Sequence, residues 1–483
     1  MIILAEKDFV KEITNIEDDF SKWYLDIVQK ADLMDYAPVK GTMVIKPYGY
    51  AIWELMQKQM DQMIKDTGAE NAYFPLFIPE SLLKKEMEHV EGFAPEVAWV
   101  THGGNEELAE RLVVRPTSET IICYMMSQWI HSYRDLPLLL NQWANVVRWE
   151  KATRPFLRTS EFLWQEGHTA HANNEEAERE TLQMLEVYRR FAEEVLAMPV
   201  IVGKKTDNEK FAGAMHTYSI EALMQDGKAL QAGTSHNLGT HFSQVFNIQF
   251  TDENNQLQYV HQTSWGSSTR MVGGLIMTHS DNRGLKLPPK VAPIQVIIIP
   301  ILKGDKELVV EKANEIAANL KTAGVRVKVD AREELTPGWK FNEYEMRGVP
   351  VRIEIGPRDI ANQVVMIARR DTGEKATMAI DTLSINIPVL LEDIQENMFK
   401  MAKKYLDEHT FTVNSIAEMN EQLEKERGFL KGYWCGEISC LDEVKKETGA
   451  TPRNMPLNEQ GGSGKCVCCG KEAKTLVYFA RAY

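Results

Sequence analysis

The sequence predicts an α+β protein in three parts: an antiparallel sheet core flanked by helices, then an α/β domain, then a small α/β unit built around cysteines. Three observations predict it. Between Arg148 and His168, charged and aromatic side chains recur with the two-residue period of a strand, flanked by apolar segments, as on a sheet with one face lining a cleft. Beyond a proline-rich stretch at 285–293, short apolar strands alternate with helical stripes, which indicates an α/β domain with a mixed sheet. Five of the six cysteines lie from Cys435 onward, which points to metal rather than to disulfides in a reducing compartment.

The first domain is expected over 1–285. A helix is predicted at 18–30, an extended segment at 41–47 and an amphipathic helix at 50–67. Residues 71–79 are apolar, extended and closed by Pro79, a pattern that a buried core strand fits. Apolar residues at 177, 184, 185, 188, 191, 192 and 195, with Pro199 closing the run, predict a helix packed on the sheet. The second domain is expected over 291–395. Strands at 295–300 and 325–329 bracket a helical stripe of Val309, Ala313, Ile316, Leu320 and Ala323 ended by Gly324, and strands at 351–355 and 364–368 follow. The third, 400–483, should hold helical segments, the cysteines and a final strand at 475–480. Repeats and low-complexity tracts are absent from the sequence; 461–464 reads as a flexible loop.

A chain of 483 residues suffices for two or three domains with separate cores, and 44% hydrophobic with 26% charged residues is ordinary for a soluble globular protein. The first residues show no basic segment followed by a long apolar run, and the longest apolar runs fall far short of a membrane span. A cytoplasmic protein without membrane contact is therefore expected. The net charge of −14 argues against a non-specific nucleic-acid coat but leaves room for a local basic patch.

Strand alternation sends Arg148 and Glu150 to one face, and in the run that follows Arg158, Phe162, Trp164, Glu166 and His168 share one parity and so one face. Arginines suit phosphates, a phenylalanine suits a stacked base, and a carboxylate accepts from an exocyclic amine. That set suits a nucleotide site, although a cross-strand ion-pair ladder would give the same alternation. Cys435-x4-Cys440 and Cys466-Val-Cys468-Cys469 offer thiolates for tetrahedral zinc; Cys469 keeps the usual two-residue gap from Cys466, and Cys468 is the alternative fourth ligand. Cys123, in an apolar stretch, reads as a small buried hydrophobe.

Arg148-Trp-Glu150 with the following loop and strand resembles motif 2 of the class II aminoacyl-tRNA synthetases. Arg115-Pro-Thr117-Ser-Glu119-Thr, Gly233-Thr234-Ser-His236 and Trp265-Gly-Ser-Ser268-Thr-Arg270 resemble the prolyl-tRNA synthetases in particular. Ser268-Thr-Arg270-Met-Val-Gly273-Gly274 resembles motif 3, where the glycines would allow close backbone approach near a helix start. The likeness runs from about residue 15 to the final tyrosine and follows the short form found in archaea, eukaryotes and some bacteria. The span from Arg148 to Arg270 leaves no room for an editing insertion.

The resemblance implies a class II antiparallel sheet and ATP-dependent attachment of L-proline to tRNA(Pro) through a prolyl-adenylate. By the family's pattern Arg148 meets the α-phosphate and the substrate carboxylate, with Arg158 and Arg270 on the outer phosphates. Glu150 takes the adenine amino group, Phe162 stacks on the ring, and Gln231, Thr234 and Ser268 complete the site for ATP and its Mg2+. Thr117 and Glu119 take the proline ammonium, and Trp164, Glu166, His168 and Phe211 wall the pocket with His236 nearby. Either histidine alone would read as a core residue. Residues 71–79 resemble motif 1, which implies a homodimer. Glu345, Arg352, Arg358 and Lys375 face the anticodon, where a solvated salt-bridge surface is the plainer alternative. A structural Zn2+ on Cys435, Cys440, Cys466 and Cys469 is expected. A catalytic zinc is not, because Cys123 lies in the wrong segment. The rival readings are a threonine, serine or glycine enzyme of the same class, and a silent paralogue that binds tRNA for regulation.

Overall fold

The computed structural model describes residues 13–89 and 96–483; the leading stretch read for a secretory signal lies outside these residues. The helix Phe20–Lys30 starts where Asp19 accepts from the Lys22 N–H (3.0 Å), and it buries Trp23, Tyr24, Ile27 and Val28. The next helix, Pro47–Lys65, begins earlier than the apolar spacing suggested. Proline at its first position gives up an N–H that would have no partner there, so it opens the helix rather than preceding it. The helix Asn174–Arg190 is capped by Asn173 and continues as a π-wound turn, Phe191–Val195. The wider turn keeps Phe191, Ala192 and Val195 all buried.

The main sheet has eleven strands. Its centre runs Val200–Lys204, His216–Leu223, Ala229–Gly239, His261–Ser268, Glu161–His171 and Leu138–Val147, every neighbour antiparallel. The short strand Glu70–Asn71 adds to the far edge in parallel. The helix Asn174–Arg190 covers one face: Tyr188 donates to Gln165 Oε1 (2.6 Å), and Ser235 donates to the Thr181 carbonyl (2.7 Å). Odd-numbered residues of Glu161–His171 point to that helix, so the even-numbered ones are left for the open face.

The second unit is a mixed sheet in the order Val327–Val329, Val296–Pro300, Val351–Ile355, Val364–Arg369, Lys375–Ala379, with the first three strands parallel and the last two antiparallel. The helix Lys306–Thr322 buries Val309, Ala313, Ile316 and Leu320 against it, as the stripe predicts. Ala323 instead falls at the exposed helix end. A ladder from Arg370 to Asp281 (2.7 and 2.9 Å) ties this unit to the first.

Two features of the last third were not expected. One helix, Leu383–Glu408, runs unbroken through 395–400, burying Leu383, Ile387, Leu391, Ile394 and Met398 in the second unit's core. The strands Thr410–Thr412, Phe429–Trp434, Thr475–Ala480 and Thr451–Pro456 then extend the main sheet, joined through Met455↔Lys204 and Pro456↔Gly203. A Cβ on Gly203 would lie 2.5 Å from the Met455 carbonyl oxygen, so glycine is what lets this strand approach.

Candidate active site

The open face of the central sheet holds a cavity of about 340 Å³. Phe162, Trp164, Glu166 and His168, alternate residues of one strand, line it together with Thr117, Glu119, Arg148, Phe211, Gln231, Thr234, His236, Ser268 and Arg270. Three distant stretches thus supply one hollow. Arg115 fixes the first of them: it is wholly buried, with its guanidinium on the carbonyls of Phe74 (2.6 Å) and Asn145 (2.8 Å). That anchor delivers Thr117 and Glu119 to the cleft, Glu119 as the first residue of the helix Glu119–Trp129. The Thr117 hydroxyl donates to Glu119, so its lone pairs and the remaining carboxylate oxygen are left as acceptors.

Glu166 anchors the pocket floor. It accepts from the Ser118 hydroxyl, Gln142 Nε2 (2.8 Å) and His168 Nε2 (3.0 Å). Burial most strongly opposes its ionisation, but the contacts from His168, Ser118 and Gln142 outweigh it and hold the carboxyl below its ordinary range. His236 is driven the other way. Burial, with the nearby His168 and Lys205 charges, pushes it down to about 3, so it is neutral at physiological pH. Its ring packs on Phe211 (4.7 Å) and Nδ1 meets Thr217 Oγ1 (3.0 Å). Trp164 Nε1 and Ser264 Oγ are buried on the same lining without a hydrogen-bond partner among the described residues.

Arg148 donates to the Pro116 carbonyl (3.0 Å) and lies over Phe162 (5.4 Å) and Trp164 (5.5 Å). The protein crowded around it lowers its pKa, while Glu119, Glu166 and Glu150 pull it back up; a guanidinium stays charged regardless. Its surface still reaches solvent through the cleft mouth. Arg270 heads the helix Arg270–His279 and donates to the Leu157 carbonyl (3.1 Å). Burial and the Arg148 charge lower its pKa, so the two cations lie near enough to repel each other.

Not every expected residue reaches the lining. Glu150 and Arg158 instead hold each other (2.7 and 2.6 Å), with Arg158 more than half exposed. Gly273 and Gly274 serve packing rather than anion approach: a Cβ there would lie 2.4 Å from Leu157 Cδ2 and 2.8 Å from Leu230 Cδ2. In the second unit, Glu345 and Arg352 line one small depression with Phe341, whose ring carries the Arg352 guanidinium at 4.0 Å. Lys375 Nζ is 5.9 Å from the same ring, and both cations also meet Glu354. Glu345 pairs with Arg283 (2.9 Å). Arg358 stands apart, exposed on the short helix Pro357–Ala361.

Near the C-terminus, the thiols of Cys435, Cys440, Cys466 and Cys469 all lie within 4.8 Å of one another, and Cys468 is outside the set. Cys435 Sγ is 3.7 Å from both Cys440 and Cys469. Thiolates 2.3 Å from a tetrahedral zinc would be separated by about 3.8 Å, so this donor set fits that ion in number, softness and spacing. Lys205, Glu209, Lys210, Thr217, Ser264 and Gly266 also line the cleft and were missed. All but Gly266 lie outside the recognisable fragments, and the tertiary fold rather than any local pattern brings them to the lining.

Comparison with known proteins agrees with this geometry. A model of the tRNA synthetase class II core domain (G, H, P, S and T) matches residues 99–279, one of the anticodon binding domain matches 295–388, and one of the prolyl-tRNA synthetase C-terminal domain matches 416–483. The proline–tRNA ligase of Alkaliphilus oremlandii is 61% identical over 478 residues, 99% of each chain. The chain belongs to the prolyl-tRNA synthetase family. Proline–tRNA ligase 2 of Clostridioides difficile is 59% identical, again over 99% of each chain. The crystal structure of the Cryptosporidium parvum prolyl-tRNA synthetase, complexed with halofuginone and AMPPNP, superposes with a TM-score of 0.94 at 44% identity, covering 98% of this chain and 100% of that one. The enzyme is a proline–tRNA ligase, which attaches proline to tRNA at the expense of ATP. Among the described residues no helix is long and apolar enough to cross a membrane.

Proposed function

We propose that adenylation takes place in the 340 Å³ cleft, with the roles divided among its residues as follows. The observation that carries this reading is the meeting of Arg148, Arg270 and Glu119 on one lining. The substrate is MgATP, and the nucleotide analogue named in the C. parvum complex supports its place here. Phe162 takes the adenine face, Gln231, Thr234 and Ser268 offer polar contacts along the nucleotide, and Arg270 draws in the outer phosphates. Glu150 and Arg158 join the nucleotide only by exchanging their mutual ion pair for the adenine amino group and a phosphate. Thr117 and Glu119 accept from the secondary ammonium of proline, while Trp164, Phe211, Glu166, His168 and His236 close around the ring.

Arg148 then aligns carboxylate and α-phosphate. A proline carboxylate oxygen forms the new bond to phosphorus, the bond to the β-phosphate oxygen breaks, and pyrophosphate leaves. Charge builds on phosphate oxygens, so cations and alignment provide the catalysis rather than a protein nucleophile. In the second step a hydroxyl of the terminal ribose of tRNA(Pro) attacks the acyl carbon and AMP leaves. Proline-dependent ATP–pyrophosphate exchange tests the first step; exchange that threonine, serine or glycine supports as well as proline does would reject the pocket assignment.

The remaining assignments rest on domains 1–285, 291–395 and 400–483 acting as catalytic, anticodon-binding and zinc-binding units. Around Phe341, Glu345 offers a carboxylate and Arg352 a guanidinium to splayed anticodon bases, with Arg358 forking onto a further base edge and Lys375 reaching the backbone. Zn2+ on Cys435, Cys440, Cys466 and Cys469 would staple the last unit. Tyr73 and Phe77, 72% and 45% exposed beside buried Phe74 and Ile78, support a homodimer through 71–79. Sedimentation of the purified protein as a monomer would reject that. A cytoplasmic location suits this chemistry.

A further inference from the structure

Lys205 is a buried cation of the cleft that belongs to none of the recognisable motifs. Lys205 directly follows the strand Val200–Lys204, is almost wholly buried, and lines the cavity beside Phe211, Thr217 and His236. Its Nζ donates to Glu221 Oε1 (2.7 Å). Glu221 has no exposed surface. Its other oxygen receives Nε (3.1 Å) and Nη2 (3.0 Å) of Arg453, and the Ser219 hydroxyl also reaches Oε1 (3.1 Å). Arg453 comes from the strand Thr451–Pro456 of the last unit, which joins the main sheet at Met455↔Lys204, one residue before Lys205. The C-terminal unit is therefore wired to the cleft wall.

Among the three groups in direct contact, Lys205, Glu221 and Arg453, the charges do not balance. Two cations share one carboxylate, and an ammonium has three donors, of which Lys205 uses one among the described residues. A buried cation with unmet donors is costly, and an anionic oxygen arriving in the cleft would satisfy both the donors and the surplus charge. Glu209, on the same lining, is the other acid near Lys205, and among the described residues it makes no hydrogen bond or ion pair with that ammonium.

We propose that Lys205 is a substrate-binding residue that takes an anionic oxygen of the reacting molecules, and that Arg453 positions it from the C-terminal unit through Glu221. This rests on the adenylation reading of the cleft. The anion is the proline carboxylate or a phosphate oxygen of ATP, and kinetics separate the two.

The test is ATP–pyrophosphate exchange by the full chain, saturated in turn with proline and with ATP, for K205M, K205R, R453M and R453K, with Tm recorded for each. K205M should raise one KM by about tenfold or more, and K205R should recover much of it. R453M should raise the same KM by less, and R453K should recover it. A rise confined to proline assigns the carboxylate, and one confined to ATP assigns a phosphate; either supports the proposal. K205M with both KM values and kcat within twofold of the parent overturns it. So does a joint loss of kcat and Tm that K205R fails to restore. Should K205M not fold, K205Q, which keeps a donor toward Glu221 without the charge, decides by the same criteria. R148A run in parallel separates the two levels: an active R148A undermines the cleft reading itself, whereas an inactive R148A beside a normal K205M rejects only the role of Lys205.

Discussion

Gly167 offers a sharp test of how the sheet shapes the pocket. It stands between Glu166 and His168 and directly opposite Trp265 in the antiparallel register. Its missing side chain is filled by the Trp265 indole: a Cβ would lie 2.2 Å from Cε2, Cζ2 and Cη2 of that ring. Ordinary carbon contacts begin near 3.4 Å, so Gly167→Ala must drive ring and strand apart by about 1 Å in a core where Trp265 is 1% exposed. Overpacking of this kind costs about 1–3 kcal/mol. At about 2–4 °C per kcal/mol for a domain of 150–250 residues, Tm should fall by roughly 2–12 °C. The shift also moves Glu166 and His168, and a misplacement of about 1 Å can lower a catalysed rate by about 100-fold. Thermal melts and proline-dependent pyrophosphate exchange read the two effects. Adding Trp265→Leu, which empties the space, should make the double variant lose less than the two single losses combined, by at least about 0.5 kcal/mol. Parental Tm and exchange rate in Gly167→Ala, or strictly additive losses, would refute the argument.

Further outcomes follow from the site. Arg148→Ala should lower the exchange rate by about 100- to 1,000-fold or more, as loss of a preorganised group facing developing charge does, with Tm little changed; near-parental exchange would remove Arg148 from the reaction. Arg352→Ala should raise KM for tRNA in aminoacylation and leave pyrophosphate exchange alone, and an effect on exchange would place it elsewhere. Cys435→Ser and Cys469→Ser should lower zinc per chain, measured by atomic emission, together with Tm, whereas Cys468→Ser should keep both. Burial pushes His236 down to about 3, and His171 and His279 to about 4. Between those values and the ordinary 6.5, the unfolded chain binds protons that the folded one refuses, so stability should fall as pH drops from 6.5 toward 4. Urea midpoints that stay flat across that window would contradict the burial of these rings.

Much of the fold can be read locally. The helices over 18–30 and 306–322 follow from apolar period because each buries one stripe, and the strand at 475–480 follows from an unbroken apolar run because both of its faces are buried. The pocket wall Phe162, Trp164, Glu166 and His168 is legible for the same reason: a strand's parity assigns four side chains to one face at once. The four-thiol cluster is legible in part, since spacing narrows the fourth thiol to two positions, but only the fold of the 466–469 turn brings Cys469 rather than Cys468 within reach of Cys435.

Other features have no local signature. Lys205, Glu221 and Arg453 are spread over some 250 positions of sequence, and a lone lysine, glutamate or arginine reads as surface until burial shows otherwise. Glu150 and Arg158 look like cleft residues by parity, yet an ion pair across the loop holds them off the lining. The motif 3 glycines look like an anion cradle, yet Leu157 and Leu230 occupy the space a side chain would need. By itself the order of residues determined the chemistry available and the face each strand presents, because those depend on side-chain type and on a two- or 3.6-residue repeat. Tertiary structure alone decided which charges meet, since Coulomb interaction and desolvation depend on distance and burial, and neither is written in neighbouring residues. It is by that route that Arg453, near the C-terminus, comes to stand behind the cleft of the central sheet.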